Sequence, residues 1–356
     1  MMDNKQNKVL FFYPKLFTFI QIDKEILEKQ YRVKSFEFGP SSKILTPISF
    51  IKQFFFLVWQ IRNTKVIVCD FAGYVSFLPT LFGKIFSVPI LMILCGTECY
   101  SFPSIHYGNF NKKLLGLFTS WSYKMATHLA PVHKSMVLSN YTYDDKDFPK
   151  QGYRYYCPFA VQPFTELNYG FNAERFYSTG IDRKTNSFLT VVSNTEGSTF
   201  YRKGLDLIIE AAKQLPEFSF TIIGRGEKLN AIEKSSNITI HPWIPNEELK
   251  NYYSAHEFYL QISMIEGFPN TLGEAMLCGC IPIGSDAASI PEIIGDCGFI
   301  LKKRNIIMFT QLLREASICD KQKLSQCSIE RIKQNWPSDR RAKELIQIIN
   351  QIIKKQ

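Results

Sequence analysis

Short apolar runs alternate with longer segments whose apolar residues recur at helical spacing. Residues 8–13, 32–38, 65–69, 89–94 and 128–130 read as buried strands. Between them, 18–30, 47–61, 73–86 and 112–126 read as helices. Strands without polar alternation belong in a parallel sheet covered on both faces. Residues 153–157 read as a last strand, and periodicity then fades from Pro158 to Asn186, where a domain linker is expected. The alternation resumes with strands at 187–192, 218–223, 238–240, 258–263, 281–284 and 298–301. Helices at 205–215, 246–255 and 275–278 lie between them, and a final helix covers 339–353.

The most informative stretch is Glu266-Gly-Phe-Pro-Asn-Thr-Leu-Gly-Glu274, placed between a strand and a helix. A loop entering a helix leaves backbone N–H groups unpaired at the positive end of the dipole, and a phosphate fits there. Two carboxylates flank it, with seven residues between them. Together they point to a ligand with a diphosphate and hydroxyl-rich rings. The same residues admit a plainer reading, since Thr271-x-x-Glu274 and Ser289-x-x-Glu292 both have the form of a capping box. Cys95-Gly-Thr-Glu98 is a second strand end followed by polar groups, and it is expected to face the same cleft. Lys203 stands at a helix start, where a cation is disfavoured, so a ligand role is expected for it.

Length and composition narrow the choice. A chain of 356 residues suits two domains, and 46% hydrophobic with 21% charged residues describes an ordinary globular core. No apolar run approaches the roughly 18–20 residues of a membrane helix. The apolar run at 9–13 is too short for a signal peptide, so no export is expected. Nine cysteines without a C-x-x-C pair imply no zinc site and a reduced cytosolic home. A net charge of +10 admits nucleic acid, an anionic membrane or an anionic substrate. No charge block or recognition motif favours nucleic acid. Two greasy segments, 49–65 and 111–124, carry Phe and Trp beside Lys and Arg, and they fit either packed helices or an anionic membrane surface.

With these residues in place, the chain resembles the family-4 retaining glycosyltransferases of GT-B fold. The resemblance rests on Glu266-x7-Glu274, Arg202-Lys203-Gly204, Gly224-x-Gly226, Pro291-Glu292, the linker-like Asn168-Tyr-Gly170, Cys95-Gly-Thr-Glu98, and Trp336 before the final helix. It implies an α/β chain of GT-B architecture, with two Rossmann-like doubly wound domains facing a cleft. Residues 1–167 would form the acceptor-side domain and 168–337 the donor domain, with a helix at 338–356 crossing back.

Carried over, Lys203 would contact the diphosphate, Glu274 the ribose and Glu266 the donor sugar. Glu266 and Lys203 would be the catalytic pair. Arg202, Gly204, Gly267, Phe268, Pro269, Asn270, Thr271 and Leu272 would complete the donor cradle, with Trp243 bordering the base. Gly96, Thr97 and Glu98 would line the acceptor side.

The resemblance further implies no cofactor and no metal, a UDP- or GDP-linked sugar as co-substrate, and a glycan or lipid-linked acceptor. Surface polysaccharide or glycolipid assembly on the cytoplasmic side, peripheral to the inner membrane face, would be the setting. The alternatives are a sugar-nucleotide epimerase on the same fold and an inactive scaffold. Three positions depart from the family pattern. Ser193-Asn194 stands where an Arg is usual, with Arg202 expected to supply that charge. Cys95 stands where many members have His, and Tyr13-Pro14-Lys15-Leu16 replaces a Gly-Gly loop.

Overall fold

The computed structural model describes residues 7–39, 43–230 and 235–354. The first lobe runs β1 (Lys8–Tyr13), α1 (Thr18–Gln30), β2 (Arg32–Glu37), α2 (Thr46–Gln60), β3 (Thr64–Asp70), α3 (Tyr74–Ile85), β4 (Ile90–Leu94), α4 (Lys113–Met125) and β5 (His128–Pro131). These strands form one parallel sheet in the order β2-β1-β3-β4-β5. The apolar runs of β1, β3 and β4 are buried on both faces, as continuous hydrophobic strands require.

A short antiparallel pair, β6 (Ser139–Asn140) with β7 (Lys150–Gln151), leads to α5 (Tyr153–Tyr156). The strand expected at 153–157 is therefore a helical turn. Its aromatic residues favour a strand, but no sheet edge is offered to them. The Arg154 N–H instead donates to Val137 O at 3.0 Å.

The second lobe runs β8 (Lys184–Val191), α6 (Thr199–Arg202), α7 (Leu205–Gln214), β9 (Ser219–Ile223), α8 (Glu227–Asn230), β10 (Ile238–His241), α9 (Leu249–Ala255) and β11 (His256–Gln261). It continues with α10 (Asn270–Leu277), β12 (Ile281–Ser285), α11 (Ile290–Ile294), β13 (Phe299–Leu301), α12 (Ile306–Ser317) and α13 (Lys321–Asn335). Its parallel sheet has the order β10-β9-β8-β11-β12-β13. Several expectations change here. α6 forms ahead of the helix expected at 205–215, α9 begins at Leu249 rather than 246, β11 lies two residues before the expected 258–263, and α10 begins at Asn270 rather than Ala275. Asn, Thr and Gly are weak helix formers. Packing overrides them, because Gly273 has no Cβ to collide with the Phe171 ring.

The last helix, α14 (Ser338–Lys354), returns to the first lobe; residues 355 and 356 of the expected crossing helix lie outside the described residues. Arg341 on α14 forms a bidentate pair with Asp23 on α1, with both N–O distances 2.6 Å, and both side chains are buried. Its Nη1 donates to Leu167 O at 2.7 Å and to Asn168 O at 3.2 Å. Phe171 N–H donates to Trp336 O at 2.9 Å, so the outgoing and returning strands of chain run side by side. The expectation of reduced cysteines fails at Cys297 and Cys327, which form a disulfide joining the segment before β13 to α13.

Candidate functional site

In doubly wound sheets ligands sit beyond the strand ends, where the strand order reverses. The first sheet reverses between β1 and β3, the second between β8 and β11. These two points open on one cleft of about 990 Å³. Pro14 and Phe71 line it from the first lobe, Val191, Ser193 and Glu266 from the second.

Three charged side chains meet on the second-lobe wall. Glu266 Oε1 lies 2.8 Å from Arg202 Nη1 and 2.7 Å from Lys203 Nζ, and all three groups are largely buried. Burial alone would raise the Glu266 carboxyl, but the Lys203 and Arg202 charges outweigh it and hold it at about 2. Burial lowers Lys203, and Glu266 works against that. Local structure holds the group in place. Arg202 ends α6, and its carbonyl accepts the Met264 N–H at 2.7 Å. Lys203 caps the C-terminus of α6, where a cation is favourable, which relieves the conflict expected at the start of α7. Gly204 has φ 71°, and a Cβ there would collide with Ile262 O.

The loop 267–269 lies across the cleft, and Gly267 abuts the first lobe. A Cβ there would strike Cys95 O and approach the Met136 methyl to 2.5 Å. Gly267, Phe268, Pro269, Asn270 and Thr271 all line the cleft, as does Thr97 opposite. Leu272 is fully buried and serves as core. Neither expected capping box forms. α10 has Pro269 at its N-cap and no side-chain cap, and the Glu274 carboxylate instead accepts from Asn246 Nδ2 at 3.3 Å and the Tyr253 hydroxyl at 3.4 Å. The Ser289 hydroxyl likewise accepts no capping N–H, and Glu292 pairs with Lys134 at 2.6 Å.

Glu274 lies on a smaller cavity of about 290 Å³ next to the cleft, and Asn270 borders both. Burial raises its carboxyl to about 7. Trp243 is half exposed and stands outside the cleft lining. Glu98 does not face the cleft either. It is fully buried and accepts the N–H groups of Cys95 at 2.7 Å and Gly96 at 3.1 Å, shaping its own loop. Burial raises it to about 7. Gly96 stands beside Gly267, with a hypothetical Cβ 3.8 Å from the Gly267 nitrogen.

Sequence reasoning missed the aromatic side of the cleft. The Tyr107 ring lies 5.0 Å from the Arg202 guanidinium, and its hydroxyl is 3.1 Å from Thr97 Oγ1. Tyr107 sits in an irregular loop with no periodicity to flag it. Phe17, Phe19, Phe38, Phe71 and Tyr74 add apolar wall. Among the described residues, His133, Glu166 and Glu292 are close enough to share a cation, with ligand atoms within 4.8 Å of one another. Lys134 already neutralises Glu292 there.

Two facing doubly wound lobes with this cleft constitute the GT-B fold of glycosyltransferases. An Anabaena protein, HepE, solved in complex with UDP-glucose, superposes with a TM-score of 0.70 over 97% of this chain and 100% of that one, at 13% identity. Residues 189–316, within the second lobe, match the family described as Glycosyl transferases group 1. Among curated relatives, an uncharacterised 41.2 kDa protein of the Klebsiella pneumoniae cps region is 32% identical over 99 residues, 27% of each chain. The O-antigen chain mannosyltransferase B of Escherichia coli is 33% identical over 64 residues, 18% of this chain and 17% of that one. The aligned stretches thus span less than a third of those relatives' lengths.

Proposed function

We propose that the protein is a retaining glycosyltransferase that moves a hexose-like unit from a UDP- or GDP-linked sugar to an acceptor hydroxyl. The acceptor belongs to surface polysaccharide or glycolipid assembly. The observation that carries this reading is the convergence of Arg202 and Lys203 on the Glu266 carboxylate, beside the uncapped start of α10. Two cations beside a helix start that has no side-chain cap suit a diphosphate. The UDP-glucose in Anabaena HepE and the transferase activity named for the E. coli relative support the same choice.

In this mechanism Glu266 holds the two cations in position until the donor arrives. Its low pKa makes it a poor proton donor, so its part is to orient the cations and the sugar. The diphosphate takes up one or both cations, and their charge stabilises it as it leaves. The anomeric carbon then carries oxocarbenium character. A departing phosphate oxygen on the same face accepts the acceptor's proton, which retains configuration without a protein nucleophile. Glu274 receives the ribose hydroxyls, and no metal takes part.

The test is a thermal-shift and turnover screen with UDP, GDP and their sugar conjugates. Nucleotide at about 100 times its dissociation constant adds roughly 2.7 kcal/mol of stability. Lys203→Ala loses a charge-assisted contact worth about 1.5–3 kcal/mol, so turnover falls by about one to two orders of magnitude. Unchanged turnover in that variant, or no shift with any nucleotide, overturns the reading.

A further inference from the structure

Between Glu37 and Asp144 the chain carries nine Lys and Arg residues and only two acids, Asp70 and Glu98. Both acids are fully buried. The described surface built from this third of the chain therefore presents cations, such as Lys52, Arg62, Lys84 and Lys113, with no exposed carboxylate among them. No other part of the sequence of similar length lacks acids in this way.

The same surface is apolar where a soluble face is normally polar. α2 buries only Gln53 and Leu57. Its outward side shows Trp59 at 85% exposure, Phe55 at 63% and Ile51 at 57%. The neighbouring helices continue the face. Phe54 packs on Phe82 at 5.6 Å, and Phe82 stacks on the exposed Phe86 at 5.8 Å. Phe77 of α3 meets Trp121 of α4 at 5.6 Å, with Leu114 and Leu117 exposed beyond it. A contiguous apolar patch of this kind marks an interaction surface rather than scattered exposed side chains.

We propose that the outer face of α2, the C-terminal end of α3 and α4 docks on an anionic lipid bilayer. Aromatic and aliphatic side chains enter the interface while the surrounding cations meet lipid headgroups. A second copy of this chain fits the face poorly, because a symmetric contact would bring like charges together. Among the described residues no helix is long and apolar enough to cross a membrane, so the attachment is peripheral. The docking also fixes the cleft relative to the lipid. Thr46, Tyr74, Val75 and Leu115, near the N-terminal ends of these three helices, line its first-lobe end. Under the glycosyltransferase reading, an acceptor anchored in the bilayer would enter there. That clause rests on the proposed function; the docking itself does not.

The experiment is co-sedimentation of the full chain with vesicles of equal parts phosphatidylglycerol and phosphatidylcholine, and with phosphatidylcholine alone. Expected is binding to the anionic vesicles that weakens with salt, and little binding to the neutral ones. Lys52→Gln should weaken binding by roughly fivefold, and Phe55→Ser with Trp59→Ser by at least about tenfold. Circular dichroism and melting confirm that these surface variants fold. Wild type left in the supernatant with anionic vesicles overturns the proposal, as does equal binding by the variants. So does a solution dimer that the same substitutions abolish. Vesicle binding by a protein that takes no nucleotide keeps the docking and removes only the donor reading.

Discussion

At the strand ends of the second lobe the chain sets Arg202, Lys203 and Glu266 into the cleft. The corresponding ends of the first lobe offer Pro14, Phe71 and Cys95. The two lobes share a parallel sheet with a reversal point, yet one wall is ionic and the other aromatic. An ionic wall recognises a ligand whose charge is fixed, and the diphosphate reading needs few residues in set places. An aromatic wall recognises shape, and many side chains could build it. The ionic half is therefore the half that a sequence can announce.

The largest expected effect tests whether the lobes are separate bodies at all. α14 follows the second lobe in sequence but packs on the first through Arg341 and Asp23. Removing one partner of a buried pair strands the other charge. Asp23→Ala should cost about 3–5 kcal/mol in denaturant unfolding. A loss below about 1 kcal/mol would mean that α14 is held by its apolar face alone, through Leu345, Ile348 and Ile349, and that the lobes are joined more loosely than the pair implies.

Legibility followed the same divide between fixed chemistry and shape. The strands β1, β3 and β4 could be read from continuous apolar runs, and α1 from its spacing, because burial on both faces leaves little freedom of composition, whereas β11 lies two residues earlier than its apolar run suggests. Lys203 and Glu266 were expected on the cleft, and both line it, although the helix-start conflict that singled out Lys203 is absent, because Lys203 closes α6. Glu98 was misread because its spacing from Cys95 suits both a cleft residue and a loop brace, and in the fold its carboxylate turns onto the Cys95 and Gly96 N–H groups. The capping boxes failed for a related reason. Thr271 and Ser289 have the right spacing, but Pro269 already starts α10, and Glu292 reaches the other lobe. The Cys297–Cys327 link could not be read from cysteines 30 residues apart.

A smaller effect sharpens the contact between the walls. Gly267 touches the Cys95 carbonyl across the cleft, and Gly267→Ala inserts a methyl group there. Overpacking of this kind costs about 1–3 kcal/mol. We expect the methyl to push the lobes apart, lowering turnover by about tenfold while nucleotide binding to the second lobe alone changes little. Equal losses in turnover and nucleotide affinity would instead place the disturbance in the donor loop, and the cross-cleft contact would lose its significance.

The smallest effect separates two carboxyls that burial raises alike, one in each lobe. Glu274 and Glu98 both titrate at about 7 in the folded chain, above the ordinary 4.5. Each binds a proton more tightly folded than unfolded, so each makes stability fall as pH rises from about 4.5 through about 7. Glu266, held at about 2, has the opposite sign: its contribution grows as pH rises from about 2 through about 4.5 and levels off above that. Under the proposed function only Glu274 meets the donor, and its ionised form is the better acceptor for ribose hydroxyls. Donor affinity should therefore improve by about fivefold as pH rises through about 7, since a charged acceptor adds about 1 kcal/mol over a neutral one. Glu274→Gln should flatten that affinity profile while halving, not abolishing, the stability slope, because Glu98 still titrates. A profile in the variant that rises as in wild type would take the ribose away from Glu274 and leave it, like Glu98, a brace for its own lobe.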